Sequence, residues 1–206
     1  MNFAEYNVKD ANLEEVLLAL KSLDTVEAVA LGGSRSTGAS DENSDYDIYV
    51  YCVEIPTAET RENLLGKYCS IAEFGNHYWE SEDNTVMNNG IPVDIIYREV
   101  DRFGRYIDTV IKGGKAFNGY TTAFWHNIKN SKVLFDKTGA FTKFRDMAQI
   151  DFPENLRSAI IKNNRNLLNG KLPSYDRQIK KAQERGDIVS VNHLSLIHIS
   201  EPTRQE

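Results

Sequence analysis

The chain is 206 residues long, 41% hydrophobic and 26% charged, with a net charge of -6. That size suits one large domain, or a domain with a helical appendage, and the composition is that of an ordinary globular protein. The acidic balance argues against a protein that grips nucleic-acid phosphates, no apolar run reaches the length of a membrane span, and "MNFAEYNVKDANLEE" is too polar for a signal peptide.

Leu13, Val16, Leu17 and Leu20 recur at helical spacing behind Asn12, with Glu15 three residues on, a capping-box pattern. "VEAVALGG" reads as a short buried strand ending on glycines. "DYDIYVYCV" predicts a second strand, with Ile48, Val50 and Cys52 on one face and Asp45, Asp47, Tyr49 and Tyr51 on the other. Cys52 and Cys69 share no metal-ligand spacing and are expected to be reduced thiols of a cytoplasmic protein. "PTAETRENLLGKYC" predicts a helix begun by Pro56 and Thr57, residues 75–90 read as an irregular polar stretch, and "IPVDIIY" predicts a third strand. "EVDRFGRYIDTVIKGG" carries a stripe of Val100, Phe103, Ile107 and Val110 and stops at Gly113 and Gly114. "TTAFWHNIKN" and "KVLFDKTG" predict a helix and a short strand that close a first domain, residues 1–145. "FPENLRSAIIKNNRNLLNG" and "YDRQIKKAQERGD" predict polar helices of a second region, residues 146–193. "LSLIHISEPTR" is similar to the translation of a transposase adapter used in sequencing libraries. Residues 194–206 are therefore expected to be non-native and the helical region to be cut short near His193, a genuine short strand being the alternative.

The chemistry concentrates in "GGSRSTGASDENSDYDIYVY", residues 32–51. Asp45 and Asp47, two residues apart on a strand, present carboxylates about 6–7 Å apart on one face. Such a pair repels unless a cation intervenes, and hard oxygen ligands suit Mg2+, which keeps waters and bridges to substrate phosphates. Strand-end aspartates facing water are the alternative. Asp94, on the face opposite Val93 and Ile95, repeats the pattern and can join them from a neighbouring strand. Gly32, Gly33 and Ser34 follow the first strand, where amides uncrowded by side chains and one hydroxyl can approach phosphate oxygens. A P-loop is excluded because Ala39 stands where the lysine is required, and a dinucleotide-binding loop fails on its glycine spacing. "SDENSDYD" lacks the glycine and distal glutamate of a calcium loop.

"GGS" closing a strand, ten residues, "DYD" in the next strand and an aspartate in a later one resemble the nucleotidyltransferase superfamily that includes DNA polymerase beta. "ALGGSRSTG…NSDYDIYVY" and "PVDIIYREVDR" are similar to its small stand-alone bacterial members, near the aminoglycoside and lincosamide nucleotidyltransferases. The resemblance covers residues 20–145 and implies an α/β (α+β) fold, a mixed-sheet domain with flanking helices followed by an incomplete helical region. It implies transfer of a nucleoside monophosphate from a nucleoside triphosphate to a hydroxyl, with two Mg2+ ions and loss of pyrophosphate. Gly32, Gly33 and Ser34 would then hold the phosphates, with Arg35 assisting them or pairing with Asp41 or Glu42. Asp45 and Asp47 would ligate the metals, and Asp94 would ligate the second metal and help deprotonate the acceptor.

The charge balance points to a small hydroxyl compound as acceptor rather than nucleic acid, a cationic aminoglycoside-like one being steered by Glu80, Glu82 and Asp83. A protein hydroxyl is the alternative acceptor. A non-catalytic nucleotide-binding or antitoxin-like module is the alternative function, disfavoured by Asp94, which such a module would not need. His77, His126 and His193 form no ligand set, and the aromatic pairs Tyr78–Trp79 and Phe124–Trp125 read as core rather than as base-stacking surfaces.

Overall fold

Asp10 opens the first helix, its Oδ1 accepting from the backbone N–H groups of Asn12 (3.0 Å) and Leu13 (3.3 Å). Helix α1 (Ala11–Lys21) is thus capped two residues before the expected Asn12, because the Asp10 carboxylate reaches the orphan amides first. Its buried stripe is the expected one, Leu13, Val16, Leu17 and Leu20. This computed structural model describes residues 10–41, 44–117, 121–170, 172 and 174–200.

Six strands follow: β1 (Val26–Leu31), β2 (Tyr46–Cys52), β3 (Cys69–Asn76), β4 (Ser81–Met87), β5 (Pro92–Glu99) and β6 (Lys132–Asp136). They form one mixed sheet in the order β3-β4-β5-β2-β1-β6, in which β2 and β5 run parallel and every other pair antiparallel. A parallel pair needs a long crossover, and here it contains α3 (Ala58–Leu65), capped by the Thr57 hydroxyl, and the β3–β4 hairpin. A short helix α2 (Gly33–Thr37) joins β1 to β2. Helices α4 (Val100–Ile111), α5 (Ala123–Asn130) and α6 (Ala140–Ala148) flank β6 in sequence, and α7 (Glu154–Arg165), α8 (Tyr175–Glu184) and α9 (Ile188–Ser200) follow. The fold is the expected α+β arrangement of a mixed sheet with flanking helices.

The polar stretch 75–90, expected to be irregular, is a correction: it contains most of the β3–β4 hairpin. β3 is an edge strand with no fully buried position, and the buried face of β4 carries Asp83, Thr85 and Met87, so neither shows an apolar alternation. The segment "LSLIHIS" continues α9 rather than forming a strand, and residues 201–206 lie outside the described residues.

One face of the sheet is apolar. Ile48 and Val50 of β2, Val93 and Ile95 of β5 and Val29 and Leu31 of β1 pack in one cluster with the α1 stripe and Leu65 of α3. Each such side chain contributes about 1.5–3 kcal/mol when fully buried. The other face holds Tyr49 and Tyr51 of β2. The Tyr51 ring lies 5.2–5.9 Å from Phe103, Phe141 and Phe144.

The chain divides into two compact units, residues 1–106 with 125–149 and residues 107–124 with 150–206. The first contains the whole sheet and all the site candidates. Both cysteines are free, and among the described residues no helix is long and apolar enough to cross a membrane.

Candidate functional site

The loop after β1 lies directly on the face of β2. Gly32 donates its N–H to the Asp47 carbonyl at 2.8 Å, and a Cβ on Gly32 would stand 2.2 Å from a ring carbon of Tyr49. Gly33 has φ +60°, and a Cβ there would fall 1.7 Å from Asp47 Oδ2. Both glycines are therefore demanded by close approach, the second also by its backbone conformation. The bare backbone at Gly33 rests on the Asp47 carboxylate, and Ser34, half-buried, is the next residue of the chain.

Arg35 takes a different place from either expected one. Its Nε donates to the carbonyls of Ser44 (2.9 Å) and Asp45 (3.0 Å), its Nη2 also donates to Ser44, and its guanidinium lies 4.0 Å from the centre of the Tyr46 ring. It clamps the entry of β2, while Asp41 accepts from the Ser44 hydroxyl and Glu42 lies outside the described residues. Lys132, which sequence reasoning missed, pairs in register with Leu31 at the start of β6 and sets its amine 3.4 Å from the Arg35 carbonyl.

Asp47 and Asp94 are register partners on the parallel strands β2 and β5, so their side chains leave the same face side by side. Asp45, exposed, lies two residues before Asp47 at the strand entry. Burial pushes the Asp47 carboxyl above its ordinary value, and the neighbouring charges of Asp45 and Asp94 push it further. Glu82 is raised in the same way, by burial and then by Asp94 and Glu80. Four carboxylates thus share one stretch of sheet face, and their like charges add to burial in raising Asp47 and Glu82.

Among the described residues, no group of three His, Cys, Asp or Glu side chains is gathered tightly enough to hold a metal ion by itself. The arrangement is therefore no closed cage. It fits Mg2+ by the chemistry of its donors: hard carboxylate oxygens, mutually repelling, beside a loop whose Gly33 carries no side chain to displace the Asp47 carboxylate. An ion of this kind takes one or two carboxylates and completes its shell with water and phosphate oxygens.

Sequence reasoning also missed the support beneath the site. Asn84, opposite Asp94 on β4, donates its amide to Asp94 Oδ1 at 2.9 Å, and Asn76 donates to Asn84 Oδ1 at 2.6 Å. Strand parity on β4 would have revealed Asn84 had that segment read as a strand. Deeper on the same face, Arg98 makes a bidentate pair with Glu80 (2.8 and 2.7 Å), donates to the Tyr51 hydroxyl and lies 4.3 Å from the centre of the Tyr49 ring. Asn127 donates to the Tyr49 hydroxyl, whose pKa burial raises to about 12, so Tyr49 is a neutral prop under Gly32.

Two expectations about neighbouring residues fail. Asp83 is fully buried on the opposite face against Arg61, and Glu80 is held by Arg98, so of the three acids expected to steer a cation only Glu82 lies beside Asp94. Tyr78 and Trp79 are 74% and 82% exposed at the hairpin tip, because that turn projects from the sheet, whereas Trp125 is core as expected. A pocket lined by Glu27, Val53, Val100, Asp101 and Thr138 lies past the opposite end of β2 and includes no site candidate.

No curated protein matches the chain. Among solved structures, one described as a toxin-antitoxin with AMP-PNP is similar at 15% identity and a TM-score of 0.38, over 85% of this chain and 96% of that one. A nucleotidyltransferase-like protein from Exiguobacterium sibiricum 255-15 is similar at 10% identity and a TM-score of 0.42, over 90% of this chain and 51% of that one. A family model described as a nucleotidyltransferase domain matches residues 13–117, just over half of the chain, and takes in the glycine loop and all three aspartates. The chain belongs to the nucleotidyltransferase-domain family.

Proposed function

We propose that the protein is a Mg2+-dependent nucleotidyltransferase that moves a nucleoside monophosphate from ATP or GTP to a hydroxyl of a small molecule and releases pyrophosphate. The observation that carries this reading is the contact of loop and strand: Gly33 has no room for a Cβ against Asp47, and Asp47 stands in register beside Asp94. A triphosphate laid along that loop meets backbone amides on one side and carboxylates on the other. Gly33 and Ser34 receive the phosphates, Gly32 ties the loop to β2 through its N–H on the Asp47 carbonyl, Arg35 holds the loop to the β2 entry, and Asp45, Asp47 and Asp94 are the residues that would hold two Mg2+ ions.

When bound, the ions neutralise phosphate charge and acidify the attacking hydroxyl. The acceptor oxygen forms a bond to the α-phosphorus as the bond from that phosphorus to the pyrophosphate oxygen breaks. The electron pair leaves with pyrophosphate and the hydroxyl proton passes to the Asp94 carboxylate. Glu82, beside Asp94, adds negative charge that favours a cationic, hydroxyl-rich acceptor such as an aminoglycoside.

The test is to incubate the protein and Mg2+ with ATP or GTP labelled at the α-phosphate, offering aminoglycosides, lincosamides and co-encoded proteins as acceptors. Label on a small molecule, lost in an Asp94→Ala variant that still binds nucleotide, is the expected result. Label on a protein alone would move the acceptor to a protein hydroxyl. Nucleotide binding with no pyrophosphate released by any acceptor would favour a non-catalytic module.

A further inference from the structure

The β3–β4 hairpin carries a side-chain ladder that ends on Asp94. Asn76 Nδ2 lies 2.6 Å from Asn84 Oδ1 and 3.4 Å from Glu73 Oε2, and Asn84 Nδ2 lies 2.9 Å from Asp94 Oδ1. Register explains the row: Glu73 faces Asn84 across β3 and β4, and Asn84 faces Asp94 across β4 and β5. An asparagine amide can ordinarily turn over and exchange its oxygen and nitrogen, but here the direction is fixed from both ends. An ionised carboxylate only accepts, so Glu73 draws the Asn76 NH2 group toward the row and Asp94 draws the Asn84 NH2 group. Turning Asn84 over would set its carbonyl against Asp94 and its NH2 against that of Asn76.

We infer that Asn84, oriented by Asn76, is a positioning residue that fixes the Asp94 carboxylate for the second metal ion, and that the β3–β4 hairpin is a working part of the site. This inference rests on the nucleotidyltransferase reading above. With Oδ1 held by the Asn84 amide, Oδ2 is the oxygen that meets the ion or the acceptor proton. Without the amide, Asp94 is free to rotate away from Asp47 and Glu82, whose charges it meets on this face. Asp45, Asp47 and the glycine loop do not depend on the ladder, so its loss separates the two metal positions.

The test counts bound Mn2+ by electron paramagnetic resonance on the full chain, in the presence of the non-reacting analogue α,β-methylene-ATP. Wild type is expected to bind two ions. Asn84→Leu, which keeps size and removes the donor, should bind the first unchanged and the second roughly tenfold or more weakly, the usual effect of losing a partner of a metal ligand. Asn76→Ala, which leaves the Asn84 donor in place, should weaken the second ion by a smaller factor and guards against a misfolded Asn84 variant. Two ions bound with wild-type affinity in both variants would overturn the inference alone. Equal weakening of both ions would make Asn84 merely structural and overturn it too. A wild type that binds no Mn2+ with the analogue would overturn the metal reading together with the inference.

Discussion

Each face of the sheet buries an arginine against a carboxylate, and the two pairs differ in how fully they are satisfied. On the apolar face Arg61 Nη2 meets Asp83 Oδ1 at 3.2 Å, with both side chains at most 2% exposed, while Arg61 Nε has no hydrogen-bond partner among the described residues. Burial holds the Asp83 carboxyl above its ordinary value even though the Gly75 amide and Arg61 pull it down. On the site face Arg98 forks onto both oxygens of Glu80, reaches the Tyr51 hydroxyl and stacks against Tyr49 and Phe103. The first pair ties a polar hairpin to a hydrophobic core. The second carries weight outward, because Arg98 supports Tyr49, Tyr49 lies under Gly32, and Gly32 is bound to Asp47. Similar chemistry serves packing on one side and the geometry of the site on the other.

The sharpest way to break this contrast is to remove Arg98. Arg98→Leu should lower stability by about 3 kcal/mol, the lower end for breaking a buried pair, because Glu80 keeps partial access to water. The urea midpoint measures this, and nucleotide binding should weaken as Tyr49 loses its support. Gly33→Ala comes next. The left-handed backbone alone costs about 1–2 kcal/mol, and the new methyl must displace Asp47, so Mg2+-linked nucleotide binding by calorimetry should be lost while most of the fold survives a thermal melt.

On the apolar face, replacing both partners, Arg61→Met with Asp83→Leu, should change stability by less than about 1 kcal/mol, since apolar groups of similar volume remove two desolvated charges together. A loss as large as that of Arg98→Leu would erase the distinction between the faces.

The smallest effect belongs to Asp47→Asn, which should stabilise the metal-free protein by about 0.5 kcal/mol, because the face is partly screened by water. Its sign follows from linkage. The folded carboxyl is raised above 3.8, so the folded state binds the proton more readily than the unfolded chain does. The unfavourable contribution is fully present above the folded pKa and fades as pH falls through it toward 3.8. Denaturation of wild type and variant across that window should show their stabilities converging on acidification. Mg2+ affinity of the wild type should also fall there, since proton and metal compete for Asp47.

What the sequence disclosed and what it hid divide along the same sheet. β1, β2 and β5 were legible because their inward residues are apolar and β-branched, and because aspartates two apart in such a run stand out. Parity put Asp47 and Asp94 each on the polar face of its strand, but their side-by-side register came only with the parallel pairing of β2 and β5. The β3–β4 hairpin was not legible, since two of its three buried positions, Asp83 and Thr85 beside Met87, are polar and its partners are long-range: Arg61 lies on α3 and Asp94 on β5. Glu80 was expected to steer a cation and Arg98 drew no reading, because only the fold brings the two together and sets the Arg98 guanidinium against Tyr49. Helix α6 was missed because its start is capped from a distance, by Asp136 accepting from the amides of Phe141 and Thr142.

The most direct test of the account is calorimetric titration of the wild type with ATP, with and without Mg2+, beside Asp47→Asn. If Gly33, Asp47 and Asp94 form a metal-bridged triphosphate site, Mg2+ should tighten ATP binding by roughly tenfold or more, a gain of about 1.4 kcal/mol. Asp47→Asn should lose that gain while remaining folded. Equal affinity with and without Mg2+, or no ATP binding by a folded wild type, would contradict the account.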